Sequence, residues 1–585
     1  MLSLSELAFL APTIPAAAAL ASGVMGRPWL AGGGAVARWL VRGGLLLALT
    51  DVAVLLYLIQ PSGTVQVTLW EFDSRLPVTV QVDVGGAAIA LAVLAAALVV
   101  SFSAFERRPL ASAALALAAL GGVMVALSGG LLGLFVGLEL SAAGGIGLSY
   151  ARYPRAASSR IVWAAAADQV VALIWLGALI VIYRQVGTLQ FTDIPTSVVG
   201  FTMAGILLVP ALVRLAGAAL LVPEPREPSQ PGAARALDVA DWMAVVAVPT
   251  ALVVFLRVRQ LTGGSWPTPA FGTVLDLVGL AFAGAALAFL LLSSPGQSEV
   301  RALLLGTSGL VWFGFGSNAA AGVQLALGAG IFLELAVALL PRALFGSGVQ
   351  SGRARPLAKA QRMAGVGAAL APVSLAGTVA MLGLSAALQT GGSRGVLPAL
   401  GYALVLAVLG LVAVRGLRLR GGPRPWDWAL SLPAVGLLGA AVLPGWVLTT
   451  MAGPIAFAGS AGPTGLTAPD PLVVQVGSTV WPAGYLAILL ALGGFAFLAL
   501  RFAVGLPVWP PRASAPAEES PATTSWRVAF PAPIVTGWSY LLRWSDRLRS
   551  AGSLVVELAE RDLAERPVWL WLATISVVGW LMAQR

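Results

Sequence analysis

Very few side chains in this sequence have both the position and the chemistry to move an ion. Five ionisable residues fall inside long apolar stretches: Asp51, Glu139, Asp168, Arg214 and Glu334. A charge in lipid is costly, so such residues face a protein interior, paired or hydrated, and mark ion paths or proton relays. Carboxylates at Glu139, Asp168, Glu334 and Asp51 can take up and release protons. Arg214 cannot, because a guanidinium with a pKa above ~12 keeps its proton; it can only bias a carboxylate nearby. The bland reading of Glu139 and Arg214 is a static pair that holds two helices together. For Asp238, Asp241 and Asp276, near expected helix N-termini, it is a contact with the positive end of a helix.

Other chemistries are excluded. There is no cysteine, hence no disulfide, thiolate metal site or cysteine nucleophile. There is no histidine, the commonest metal ligand and usual proton shuttle near neutral pH. The one lysine, Lys359 in LAKAQR, rules out a GxxxxGK[ST] nucleotide loop. No cofactor, no metal and no catalytic centre of its own are expected.

The elements that hold these charges must be membrane helices. Of 585 residues 58% are hydrophobic, the mean hydropathy is +0.89 and only 10% are charged, against about 25% in soluble domains. The apolar runs are long and continuous, as in VGGAAIALAVLAAALVV, rather than the alternating ~10-residue segments of a barrel. With roughly 20 residues per span, sixteen spans are expected: 5–25, 38–60, 84–105, 110–128, 130–151, 161–184, 199–222, 238–258, 272–293, 301–318, 320–342, 362–388, 397–416, 427–450, 475–503 and 567–583. Loops after odd-numbered spans hold 28 Lys or Arg, and loops after even-numbered spans hold 5. Basic residues collect on the cytoplasmic side, so both termini are expected outside the cytoplasm, in a bacterial inner (plasma) membrane. The net charge of +10 is then topological, and no nucleic-acid partner is expected. Glu6, in a stretch without Lys or Arg, makes the N-terminus a retained span rather than a signal peptide.

Two connections stand out. GTVQVTLW and LPVTVQVD alternate apolar with polar residues, which predicts an external β-hairpin over 63–82. Residues 504–566 combine a Pro/Ala/Ser/Thr-rich linker with an amphipathic helix over 535–565, suited to a membrane surface or a neighbouring subunit. Tryptophans at span ends (Trp29, Trp39, Trp426, Trp428, Trp569) suit interfacial anchoring. LVPALVRLAG (208–217) and LAPVSLAG (370–377) echo one another, each with a helix-breaking proline. Paired broken helices mark inverted-repeat transporters.

Several stretches, in order, resemble the antiporter-like subunits of respiratory complex I, membrane-bound hydrogenases and multisubunit sodium/proton antiporters. VDVGGAAIALAVLAAALVVSFSAF, opened by Asp83, is similar to the family's third span. LLGLFVGLELSAAGGIGLSYARY resembles the fifth, with its central glutamate at Glu139. YRQVGTLQFTDI matches the exit of the sixth, and GILLVPALVRLAGAALLVPEP the seventh, with Arg214 where the family has lysine. PGAARALDVADWMAVVAVPTALVVFLR resembles the eighth, SEVRALLLGTSGLVWFGFG the tenth, and APVSLAGTVAMLGL the twelfth. The match covers roughly residues 75–390. This chain departs in having no charge in WMAVVAVPTALVV or VAMLGLSAALQ, where the family carries lysine, histidine or glutamate.

The resemblance implies an all-α polytopic membrane protein of about 14–16 transmembrane helices, built as two inverted repeats with broken helices. Its divisions would be 1–105 with the hairpin, repeats at 106–260 and 270–416, helices at 427–503, the linker and surface helix at 504–566, and a last helix at 567–585. It implies an ion pair of Glu139 with Arg214, other membrane subunits and the lipid bilayer as partners, and protons or sodium ions as cargo. The chain would be a non-redox subunit of a complex I-like assembly of the NADH/quinone oxidoreductase or antiporter type. A non-conducting scaffold paralogue and a stand-alone secondary transporter are the alternatives.

Overall fold

A chain this apolar has no water to satisfy its backbone, so each segment must close its own hydrogen bonds, and helices do that within one element. The computed structural model describes residues 3–25, 33–59, 63–71, 76–102, 109–152, 158–220, 242–292, 297–316, 322–331, 376–388, 392–416, 445, 467–482, 485 and 488, less isolated positions within the stretches after 316. Eight helices among them are long and apolar enough to cross a membrane. The protein is an all-α polytopic membrane protein. It divides into two units, Met1–Pro154 with Ala167–Phe495 and Arg155–Ala166 with Ala496–Arg585. The described residues, apart from 158–166, belong to the first unit. Glu334, Asp238, Asp241, the proline of the second echo (Pro372), the linker and surface helix at 504–566 and the last span all lie outside the described residues.

The helices are α1 (Leu4–Met25), α2 (Gly33–Ile59), α3 (Val84–Ser101), α4 (Pro109–Ala126), α5 (Leu131–Arg152), α6 (Ser158–Val186), α7 (Phe201–Leu220), α8 (Val248–Leu261), α9 (Pro269–Leu292), α10 (Gln297–Gly316) and α11 (Gly392–Gly416). Further helix occupies Val379–Leu388. Glu6 has a local job: Ser3 N–H donates to its carboxylate (2.6 Å) while Glu6 N–H donates to Ser3 Oγ (3.2 Å). That reciprocal capping box satisfies two otherwise orphaned groups at the start of α1.

One end of the bundle is closed by strand-like pairing. β1 (Val65–Glu71) and β2 (Pro77–Val82) form an antiparallel hairpin with an irregularity between Thr68 and Trp70. β2 is buried and is met by the α4–α5 link, with Gln81 N–H donating to Leu127 O (2.7 Å) and Gly129 N–H to Thr79 O (3.0 Å). The α6–α7 link joins in turn, through Leu131 N–H to Leu189 O (2.8 Å) and Phe191 N–H to Gly129 O (3.2 Å). The Gln190 amide locks the layers by accepting from Thr79 Oγ1 (2.7 Å) and donating to Pro77 O (2.9 Å). At the opposite end, Arg42 of α2 donates to Ser101 O (2.8 Å), the last carbonyl of α3. A cation there complements the negative end of the helix.

A second sheet corrects the expected span 475–503. β3 (Thr467–Asp470), β4 (Val473–Val476) and β5 (Thr479–Trp481) pair antiparallel in the order β3–β4–β5. The start of that span is therefore strand. The apolar run VVQV reads equally as helix or strand by composition, and the β-branched residues with the Asp470–Pro471 turn settle it.

Close packing of α4 on α5 fixes the position of Glu139 and Ser141, which α5 carries. A Cβ built on Gly121 would overlap the backbone nitrogen of Ser141, and one on Gly144 the backbone nitrogen of Ala118. Small residues at such crossings let membrane helices approach to backbone contact. Gly121→Ala is expected to lower the apparent melting temperature of the detergent-solubilised protein, with an overpacking cost of about 1–3 kcal/mol. Unchanged melting would mean α4 and α5 do not meet at this glycine.

Candidate functional site

Four helices bring their polar side chains to one buried point. α5 contributes Leu138, Glu139 and Ser141, α6 contributes Asp168 and Gln169, α7 contributes Arg214, and α8 contributes Thr250. Proline shapes the two later helices. Pro210 sits inside α7 one turn before Arg214, where it removes a backbone hydrogen bond. Trp175 of α6 donates its indole N–H to Leu207 O (2.9 Å) beside that break. α8 is preceded by a π-helical turn, Met243–Ala247, and carries Pro249 next to Thr250. Such widened turns re-aim the residues that follow them.

Arg214 is the centre. It is 4% exposed, and Asp168 is 5% exposed. Its Nε donates to Asp168 Oδ1 (2.9 Å) and its Nη2 to Asp168 Oδ2 (3.1 Å), a bidentate fork. Nη1 donates to Ser141 Oγ (3.1 Å) and to Thr250 Oγ1 (3.1 Å), and Nη2 also donates to Leu138 O (3.0 Å). A guanidinium has five N–H donors, and these five bonds use all of them. Glu139, 7% exposed, stands beside this pair within electrostatic range of both charges. Its own hydrogen bond is a long one, from Gln169 Nε2 (3.5 Å).

No protein-family model matches the chain, and no curated protein matches it. Solved structures do match. A chain of the Mrp complex from Dietzia sp. DQ12-45-1b aligns over 100% of this chain and 63% of its own, at 18% identity and TM-score 0.62. A chain of the membrane-bound sulfane sulfur reductase, an archaeal respiratory membrane complex, aligns over 100% of both, at 14% identity and TM-score 0.65. A chain of respiratory complex I from Thermus thermophilus aligns over 75% of this chain and 98% of its own, at 19% identity and TM-score 0.55. The chain shares its fold with these chains of membrane complexes. This chain spans less than two thirds of the length of the Mrp chain it matches.

The geometry corrects one expectation. The carboxylate that pairs with Arg214 is Asp168, not Glu139. The guanidinium fork fits a carboxylate edge-on with two parallel bonds, and the α6 carboxylate presents that edge. Asp168 and Arg214 are thus brought together, with Glu139 alongside. Asp51, buried in α2, shares no hydrogen bond or ion pair with them. Asp276 is no helix-end contact either: it lies about two turns inside α9 and is 7% exposed.

Ser141, Thr250 and Gln169 were not singled out in the sequence. The available signal was a hydroxyl or amide inside an otherwise apolar run, as in VAVPTALVV, but an isolated Ser or Thr there is commonplace. A second ion pair was also missed. Asp83 caps α3 by accepting from Gly86 N–H (2.6 Å), and its other oxygen pairs with Arg257 of α8 (2.8 Å). Arg257 also stacks over Phe191 (5.3 Å), tying α8 to the hairpin end.

Removing one member of a buried pair strands the other. Asp168→Asn is expected to cost about 3–5 kcal/mol, read as a large fall in the melting temperature of the solubilised protein. The double change Asp168→Asn with Arg214→Gln should recover most of that loss. If the double variant melts no higher than the single one, the pair is not the electrostatic unit described.

Proposed function

We propose that this chain is a proton-conducting membrane subunit of a multi-subunit assembly of the complex I or antiporter type, with Glu139 as the group that takes up and releases the proton. The observation that carries this reading is the saturation of Arg214. Its charge is committed to Asp168 and its remaining donors to Ser141, Thr250 and Leu138 O. Asp168 and Arg214 cancel, so the cluster is neutral with Glu139 protonated and carries one negative charge with Glu139 ionised. A single proton is the variable, and the fixed pair sets the field around it. Arg214 holds its proton throughout. The likeness in fold to subunits of the Mrp complex, the sulfane sulfur reductase and complex I supports a place beside other membrane subunits. Redox chemistry would fall to those partners.

The same saturation favours one second reading. A guanidinium bound on every side clamps α5, α6, α7 and α8 whatever Glu139 does, as a scaffold paralogue would require. Proton flux into proteoliposomes holding the purified complex, driven by an imposed potential, separates the two. Glu139→Gln is expected to abolish flux while leaving assembly intact; undiminished flux takes Glu139 off the path.

Orientation is part of the proposal: termini and hairpin end on the non-cytoplasmic face of a bacterial inner membrane, as the loop charges require. The sequence contains no cysteine, so a single one is a clean reporter. Thr192→Cys, exposed in the α6–α7 link, is expected to react with an impermeant maleimide on intact cells. Reaction only after permeabilisation would invert the topology.

A further inference from the structure

A second buried carboxyl lies far from the Glu139 cluster in sequence. α9 starts at the hairpin end, since α8 reaches that end through Arg257 and Asp83 and the link from α8 is short, Thr262–Thr268. Asp276 is the eighth residue of α9, about 10 Å along the axis at 1.5 Å per residue. It packs where α9 crosses the end of α10. A Cβ built on Gly316 would overlap Asp276 Oδ1, and one on Gly272 would lie 2.5 Å from Gly316 O. Only glycine leaves the room that the carboxyl occupies.

Asp276 Oδ1 is buried with no hydrogen-bond partner, and no basic group pairs with it among the described residues. It has company. Trp312 Nε1 and Ser308 Oγ are also buried without partners, and they lie four and eight residues before Gly316 on α10. Residues four apart share a helix face. Gly316, where Asp276 packs, Trp312 and Ser308 therefore succeed one another at about one-turn intervals along α10 from the hairpin end inward. The described part of α10 facing α9 (302–316) holds no ionisable residue, nor does 379–388. α11 carries Arg394 and Arg415 in its first and last turns and Tyr402 between them, and Tyr402 is within electrostatic range of Asp276. Phe282 and Phe255 flank Trp312 with their rings, at 6.1 and 4.7 Å, so its surroundings are apolar.

We infer that Asp276 is a second proton-carrying site, reached from the hairpin end and continued inward along the Trp312–Ser308 face of α10. A carboxyl in an apolar interior with no counter-charge is stable as the neutral acid or with a cation bound. The unpartnered polar groups on that face of α10 are an indole N–H, which repels a metal cation, and a single hydroxyl, whereas a carboxyl that gains and loses a proton needs no further ligands. What the site serves rests on the conducting role proposed above; its existence is tested independently.

The test is modification by dicyclohexylcarbodiimide, which reacts with protonated carboxyls in apolar surroundings. The full complex is treated in native membranes and the modified residues are mapped by peptide mass spectrometry. Asp276 is expected to be modified, less so as pH rises, and equally with or without sodium at fixed pH. Gly316→Ala is expected to reduce the modification by crowding Oδ1. Glu139→Gln should leave it unchanged, so failure of the Glu139 reading and failure of this one show up separately. Absence of modification at every pH, or protection by sodium, overturns the assignment. The wild-type measurement decides even if Asp276→Asn does not assemble.

Discussion

A guanidinium inside a bilayer protein cannot shed its charge, so everything around Arg214 is arranged to answer it. It needs a counter-ion and an acceptor for each donor, because an unpaired charge or a bare N–H in a low-dielectric interior is more costly than any packing contact nearby can offset. Asp168 supplies the first, and Ser141, Thr250 and Leu138 O supply the rest. Those acceptors come from three helices and the arginine from a fourth, so meeting one residue's requirement fixes the mutual placement of α5, α6, α7 and α8. A lysine in that position would be content with three donors and a movable tip. Arginine makes a stiffer knot.

The departures from regular helix serve that knot. Pro210 loosens α7 one turn before Arg214, and the π turn with Pro249 widens α8 where Thr250 faces it. On the other side, α5 lies against α4 at backbone distance through Gly121 and Gly144, which holds Ser141 and Glu139 in place from behind. The hairpin and the two links it binds tie off one end of the same helices, with Asp83 and Arg257 as a second, shallower ion pair. Interrupted helices within the spans are tolerated where the backbone groups freed at the breaks lie inside protein rather than against lipid.

Charge placement also sorts the remaining carboxyls. Asp83 faces a cation and a helix N-terminus, and Asp168 faces a cation with two oxygens engaged. Among the described residues, Glu139, Asp51 and Asp276 have neither a cation of their own nor a strong donor. Two carboxyls answered and three left over is a division that composition alone could not reveal.

Much of the fold was legible from the residues. Low charge and long apolar runs required membrane helices, because lipid-facing positions tolerate nothing else. Alternation in VQVTLW and PVTVQV is the period of strands, and those residues form β1 and β2. The rarity of Glu139, Asp168 and Arg214 within apolar runs singled them out, since such charges persist only where protein surrounds them. Short apolar runs such as VVQV carried no such period, and there the strands of the second sheet went unread. Who pairs with whom was beyond the sequence. Asp168, Glu139 and Arg214 lie up to 75 residues apart, and nothing in their spacing says which carboxylate offers its edge to the guanidinium. Helix rotation, the proline and π breaks and the glycine crossings decide that, and all are properties of helices packed together. The sequence determined that a few charges would be held inside a membrane bundle; only the packing decided that Arg214 would pair with Asp168, leaving Glu139 without a cation of its own.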